Sequence, residues 1–339
     1  DVTVVTEYDG KDGAVDYRVD TTAEGAVSVT LCDAAGKVVA TGAGASGSLK
    51  VVGATPWQPG KAYLYQLAVA YSGQNGVADE YSLAVGIRSV KVDGKRFLIN
   101  GEPFYFKGFG KHEDSDIRGK AHDDALMVHD FSLMKWIGAN SFRTSHYPYA
   151  EEVLDYADRN GIVVINETAA VGLNMVIGKT LNPAVVEPAK LYSEEGISSR
   201  TQRSHANAIR ELIARDKNHP CVFEWSLGNE SHGYLNQDYC YNELKKLTPI
   251  PIHYEGVCRT KRFAYDVISH MYAWPSMCER IAAGKLPKYK NKPFFQCEYA
   301  HAMGVGAGEL ERYMKIFYSS NNMLGGCIWE FADHAAYHE

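Results

Sequence analysis

Over residues 1 to about 90, apolar and polar positions alternate in short runs separated by Gly, Asp and Ser clusters. The runs include Val2-Thr3-Val4-Val5, Ala26 to Leu31, Lys37 to Ala40, Leu49 to Val52 and Tyr63 to Val69. A two-residue period over such short stretches, with turn residues between them and no sustained helical period, predicts a small antiparallel β-sandwich. No cluster of catalytic side-chain types falls here. The expected role of this region is to pack against and support the next domain.

Between Gly86 and Lys95 the pattern changes. Phe97 to Pro103 reads as a hairpin lid, and from Phe104 onward strand-like runs alternate with helical stretches. Helices are predicted over 123–137, 150–160, 200–215, 237–246 and 308–318. Strands are predicted over 104–107, 141–143, 163–165, 222–225, 252–254, 267–269, 294–296 and 327–329. Eight strands with helix or crossover between them is the count of a (β/α)8 barrel. A doubly wound open sheet competes, but no Gly-rich phosphate loop comes after the first strand. The expected division is 1–90 for the sandwich and 91–339 for the barrel. Residues 331–339 are too few for a closing helix. We therefore expect an apolar groove between the first and seventh helices, with reduced stability or a complementing segment in it.

Charge narrows the partners. A net charge of -6 over 339 residues offers no basic surface to nucleic acid or an anionic membrane, and no apolar run reaches the length of a membrane span. Small molecules or neutral polymers are the expected ligands, and a homo-oligomer or a complementing chain segment is the expected partner. The opening Asp1-Val2-Thr3 reads as neither a signal peptide nor a start, as expected of an excised piece. Seven cysteines, an odd number without a C-x-x-C pair, suit reduced thiols in a cytoplasmic compartment better than disulfides or zinc.

The chemistry is expected where predicted strands end, since the C-terminal mouth of a barrel is where its active site is built. Cys221 to Glu230 is an apolar run that stops at Gly228-Asn229-Glu230, and Phe294 to Tyr299 is a second run carrying Glu298. Other strand ends offer His112, Glu113 and Asp114; Arg143 and His146; Asn166 and Glu167; Glu255; His270 and Tyr272; His301; and Trp329 and Glu330. Carboxylates on the fourth and seventh strands face each other across a barrel mouth. One can protonate a departing oxygen while the other attacks an anomeric carbon, the arrangement of a retaining glycosidase. Glu230 fits the acid/base and Glu298 the nucleophile, oriented by Tyr299. Asn229 fits a donor to a sugar 2-hydroxyl. Trp225 is expected in the core and Trp329 as a platform for a sugar face. His112, His146 and His301 read equally as structural clasps or sugar ligands. Without a His-x-His or His-Glu-x-x-His spacing, no metal and no cofactor is expected.

These residues resemble glycoside hydrolase family 2, and the resemblance covers essentially the whole chain. VGIRSV, FLINGEPFYFKGFGKHEDSDIRGK, RTSHYPYAEE, NETAAVGLN and ELIARDKNHP are similar to the β-glucuronidase branch. WSLGNES, HYEG, MYAWP, CEYAHAMG and GGCIWEFAD are similar to the β-galactosidase branch, as in a natural intermediate or a chimera joined near RDKNHP. The resemblance implies an immunoglobulin-like sandwich before a (β/α)8 barrel that acts as a retaining exo-β-glycosidase. It places Glu230 as acid/base, Glu298 as nucleophile and Asn229 on the 2-hydroxyl. It puts Asp114, His112, His146, Tyr272, His301 and Trp329 on sugar-binding positions. Two departures stand out. Galactosidases carry magnesium ligands where this chain has Val171 and Leu173, and the Asn-x-Lys clamp of glucuronidases does not occur in residues 330–339.

Overall fold

Alternation becomes two faces in the first 85 residues: along Gly13–Val19, Val15, Tyr17 and Val19 are buried while Asp16 and Arg18 are exposed. A computed structural model describes residues 1–76, 78–171, 199–231, 234–259, 262–302 and 306–333. Seven strands form the sandwich: β1 (Val2–Tyr8), β2 (Gly13–Val19), β3 (Gly25–Cys32), β4 (Val38–Ala43), β5 (Ser46–Val51), β6 (Tyr65–Gly73) and β7 (Ala78–Val85). They pair as two antiparallel sheets, β1-β2-β5 and β4-β3-β6-β7, around a core that includes Val15, Leu31 and Leu67. Two of these strands lie outside the predicted runs. β7 is an edge strand paired only with β6 and nearly all exposed, so it lacks the apolar alternation that marks a strand. β2 does carry that alternation, in Val15, Tyr17 and Val19.

The sandwich is keyed to the segment that feeds the fourth barrel strand. Trp57 is fully buried, donates from Nε1 to the Asp158 carbonyl (2.8 Å) and packs on Phe223 at 5.2 Å. Arg88 donates from Nη2 to the Val222 carbonyl (2.9 Å) and lies over the Phe223 ring. Asn218 accepts from Val4 N and donates to Val2 O. The supporting role expected of the sandwich is thus exerted on one strand in particular.

Next along the chain is a three-stranded sheet, β8 (Val90–Asp93), β9 (Arg96–Ile99) and β10 (Glu102–Pro103). Buried Phe97 meets Phe106 edge-on, and Phe106 packs on Phe295 inside the barrel. The predicted hairpin lid therefore closes the N-terminal end of the barrel, opposite the mouth.

The barrel strands are β11 (Phe106–Lys111), β12 (Ser141–Thr144), β13 (Val163–Glu167), β14 (Val222–Ser226), β15 (Ile252–His253), β16 (Ile268–Met271), β17 (Phe294–Tyr299) and β18 (Met323–Ile328). They form one parallel sheet in the order β15-β14-β13-β12-β11-β18-β17-β16. Asp266 N donating to Ile252 O and a 3.2 Å His253–Ser269 contact join the two outer strands. The helices are α1 (Asp124–Trp136), α2 (Glu151–Asn160), α3 (Ser199–Asp216), α4 (Tyr234–Leu244), α5 (Pro275–Ala282) and α6 (Leu310–Tyr318). An immunoglobulin-like sandwich followed by a nearly closed barrel is the architecture expected from the sequence.

Three local differences have physical causes. β18 begins four residues before its predicted start because Gly325-Gly326 reads as a break. Both glycines are instead needed inside the strand: a β-carbon at Gly325 would overlap the Phe106 carbonyl, and one at Gly326 that of Gln296. β11 begins at Phe106 because Phe104 N is taken by Phe97 O. Helix α5 is absent from the predicted elements, since Pro275 looks like a breaker; it occupies the first turn, where a missing N–H costs nothing.

Exposed apolar groups lie on the helices next to β11 and β18. They are Val128, Leu133, Trp136 (82 % exposed) and Ile137 at α1, and Leu310 and Tyr318 on α6, with Tyr318 stacked on Tyr105. Among the described residues no helix is long and apolar enough to cross a membrane.

The barrel interior is unusually polar. Glu224 on β14 is fully buried, and neither of its carboxyl oxygens has a hydrogen-bond partner in the protein. Burial raises its pKa well above the usual carboxylate range, and Asp266 adds to the rise. His253 nearby is pushed down to about 3, by burial and then by Arg143, and is neutral. A buried carboxyl without partners costs about 1–3 kcal/mol, so Glu224→Met, close in shape, should raise stability by about 1 kcal/mol or more. Urea unfolding at pH 7 measures this; a lower midpoint would show that Glu224 supports the fold.

Candidate active site

A single arginine gathers the mouth. β12 is four residues long and entirely buried, and Arg143 in it has no exposed surface. Its Nε donates to Glu167 Oε2 (2.8 Å), Nη1 to Glu298 Oε1 (2.6 Å) and Nη2 to Asn229 Oδ1 (3.0 Å). One side chain on β12 thereby reaches groups at the ends of β13, β17 and β14. Burial disfavours its charge, but the carboxylates of Glu167 and Glu298 outweigh this and hold its pKa well above the ordinary value.

Glu167 is the structural counter-ion. It also receives His146 Nδ1 (2.8 Å) and Ser226 Oγ (2.5 Å), and its backbone N donates to Thr144 Oγ1. Burial pushes its pKa upward, yet Arg143 and His146, with the Ser226 hydroxyl, bring it down to about 2. Glu298 is tied on both oxygens: Arg143 donates to Oε1, and the Tyr272 hydroxyl donates to Oε2 at 2.8 Å. Burial raises Tyr272 far above its ordinary pKa, so it keeps the proton it donates. Sequence adjacency assigns the orienting role to Tyr299. That residue instead packs outward against Tyr313 and Phe317, because adjacent strand residues point to opposite faces, and Tyr272 on the neighbouring strand orients the carboxylate.

Asn229 and Glu230 end β14 in a turn whose backbone is unusual. Gly228 has φ 132° and Glu230 φ 46°, and Asn229 N donates to Ala170 O. With Oδ1 on Arg143, Asn229 presents its amide NH2 as the donor side. Glu230 is half-buried and its backbone N donates to Glu255 Oε1 at 2.9 Å.

On the opposite rim, four rings form a cluster. His146 stacks on the Trp329 indole at 5.0 Å and 21°, His112 meets that indole edge-on at 5.3 Å, and His112 stacks on Tyr147. Gly110 makes room for this: a β-carbon there would overlap the indole of Trp329. Trp225 is buried, with Nε1 on Thr248 Oγ1, as expected of a core tryptophan. His301 is exposed and lies over Tyr272 at 6.4 Å. Asp114 sits further out, lining a cavity of about 200 Å3 with Lys111, Asp130 and Phe331. The predicted residues are therefore brought to one mouth, with Asp114 at its margin.

From sequence, Arg143, Glu167 and Glu255 stand out only as polar strand ends, without a role. An arginine inside a predicted barrel strand, in Ser141-Phe142-Arg143, is the one signal that marks the first of them. Of the two positions where magnesium ligands occur in galactosidases, Val171 is an exposed apolar residue bridged to Asn229, and Leu173 lies outside the described residues. Among the described residues, groups able to hold a metal occur at the sandwich–barrel seam, as Asp158, His219 and Cys221, and as Glu151, Asp216 and His219. There Asp158 is already engaged by His219 Nδ1 (2.6 Å) and Cys221 N (2.8 Å). A cavity of about 820 Å3 lies on the sandwich, lined among others by Asp20, Glu24, Tyr71, Asp79 and Tyr81, far from the mouth.

Because Glu167 is fully buried against Arg143, Glu167→Gln should destabilise the fold by about 3 kcal/mol at pH 7. The depressed pKa sets the pH window. Its contribution is complete above the unfolded value near 4.5 and is lost as pH falls through about 2. The gap between the unfolding midpoints of wild type and variant should stay nearly constant from pH 7 to 5 and narrow from pH 4.5 to 3; a gap that does not narrow would remove Glu167 as the linked group.

With this geometry in view, residues 1–88 match the family described as "Glycosyl hydrolases family 2" and residues 90–339 match "Glycosyl hydrolases family 2, TIM barrel domain". A curated β-glucuronidase of Paenibacillus borealis is 42% identical over 99% of this chain and 61% of its own length. The β-D-glucuronidase structure from Dictyoglomus thermophilum superposes with a TM-score of 0.84 at 36% identity, over 100% of this chain and 63% of that one. A Ruminococcus gnavus β-glucuronidase in complex with D-glucuronic acid gives a TM-score of 0.81 at 32% identity, over 100% of this chain and 62% of that one. These matches run through both halves of the sequence, and the chain spans about three fifths of the length of the relatives it matches. The sandwich, the barrel and the carboxylates at its mouth belong to one lineage: the chain is a member of glycosyl hydrolase family 2.

Proposed function

We propose that the mouth is the site of a retaining exo-β-glycosidase, and that its sugar is a β-glucuronide. The observation that carries this is the carboxylate of Glu298, held on one oxygen by Arg143 and on the other by Tyr272. A carboxylate fixed from two sides by cationic and phenolic donors is oriented for attack on an anomeric carbon. Glu230, at the end of β14, supplies the proton to the departing oxygen. It then removes one from the water that releases the glycosyl group from Glu298. Asn229 offers its amide to the 2-hydroxyl, and the Trp329 ring cluster bounds the sugar on the β11 and β12 side. The β-glucuronide assignment is supported by relatives that bear the name β-glucuronidase and by a solved relative in complex with D-glucuronic acid. A β-galactoside is the second reading, supported by His301 beside Tyr272 and by the resemblance of WSLGNES, HYEG and CEYAHAMG to the galactosidase branch. Seven free cysteines, five of them buried, support a reducing cytoplasmic setting.

Incubation with 2-deoxy-2-fluoro-β-glucuronosyl fluoride should add one glycosyl mass to the intact protein and none to Glu298→Gln. Capture of the galactosyl reagent instead would move the assignment to a galactosidase. A folded protein that takes neither would be a non-catalytic member of the family. Tyr272→Phe, which keeps the ring and removes one donor from Glu298, should lower kcat/KM by about 100-fold with little change in thermal midpoint. Unchanged kcat/KM would leave Arg143 as the group that orients the nucleophile.

A further inference from the structure

Of the six non-glycine residues with positive φ among the described residues, three lie at the mouth: Glu230 (46°), Tyr272 (58°) and Ala300 (54°). An L-residue with a β-carbon is rarely stable in this region and persists only where its surroundings hold it. Tyr272 is held by main chain, its N donating to Glu298 O at 2.8 Å. Glu230 is held differently. Its N–H is taken by a side chain, Oε1 of Glu255, which stands two residues beyond β15 and is 1 % exposed.

We propose that Glu255 is the positioning residue for the acid/base, fixing the turned backbone of Glu230 so that its carboxyl projects into the mouth; this rests on the assignment of Glu230 as acid. β14 runs into the turn with Leu227 N bonded to His253 O, and after Gly228 the register with β15 is lost. The next donor from β14 to the β15 segment, Glu230 N, finds a carboxylate in place of a carbonyl. A side-chain oxygen on a four-atom stem can reach beyond the end of the sheet to meet this N–H. The direction of the Glu230 Cα–Cβ bond is set by the φ so imposed. A small error in it is expensive, since misplacing a catalytic group by about 1 Å lowers rates by about 100-fold. The loop beyond is independently tied by Gln237 Nε2 donating to Ser231 Oγ at 2.7 Å, so truncating Glu255 leaves the loop an anchor.

The test compares wild type, Glu255→Ala and Glu255→Gln on an alkyl and a 2,4-dinitrophenyl glycoside of whichever sugar wild type accepts. The alkyl oxygen cannot leave without a proton, whereas dinitrophenolate can. Glu255→Ala should lose about 100-fold in kcat/KM on the alkyl glycoside and stay within about 3-fold on the dinitrophenyl one. Glu255→Gln, whose amide oxygen still accepts from Glu230 N, should stay close to wild type on both. Equal losses on the two substrates, no loss in Glu255→Ala, or a Gln variant as impaired as the Ala variant would each overturn the proposal. A second measurement is independent of turnover. Amide hydrogen exchange at Glu230 should accelerate by at least about 10-fold in Glu255→Ala and not in Glu255→Gln, because only the first loses the acceptor. Exchange equal in all three proteins overturns the positioning role, even where wild type turns over neither glycoside and the functional reading itself has failed.

Discussion

The guanidinium of Arg143 has no contact with solvent, and three of its nitrogens are spoken for by groups from three other strand ends. Such a cation must be neutralised where it lies, and Glu167 and Glu298 do this from opposite sides. A buried ion cluster of this kind adds little net stability compared with an apolar packing of the same volume. Its effect is geometric, because the planar fork of an arginine accepts partners only in fixed directions. Moving any one strand end disturbs bonds to the other two. The division of labour between the carboxylates also arises from it. Glu167 is fully buried and saturated with donors, which suits a fixed counter-ion, whereas Glu298 lies nearer the opening, with Tyr272 on its other oxygen.

Sandwich plus barrel is legible in the sequence because periodicity changes cleanly near residue 90, and a parallel barrel needs buried strands that read as short apolar runs. The elements that escape a sequence reading depend on partners distant along the chain. β7 is a strand only because β6 offers it a ladder, and α5 is a helix despite its proline because Cys278 and Ile281 have a core to enter. The glycines of β18 are read as breakers from sequence, yet they are demanded by carbonyls of strands on either side.

The candidate site divides along the same line. Strand-end position alone picks out Glu230, Glu298, Asn229 and His146. Neighbours in sequence suggest Tyr299 as the support of Glu298, but support across a sheet comes from the adjacent strand, which here means Tyr272. The sequence marks Arg143 only as an arginine within a predicted strand and not as the centre of the site, since its three partners are 24, 86 and 155 residues away.

The seam between the sandwich and the barrel has a consequence of its own. Trp57, Arg88 and Asn218 fasten the first 88 residues to the run that leads into β14, and β14 leads through Leu227 and Gly228 to Asn229 and Glu230. Fluctuations of the sandwich against the barrel are therefore transmitted along five residues of rigid strand to the turn at Glu230. An accessory domain without reactive groups acts here as a clamp on the amplitude of motion at the mouth.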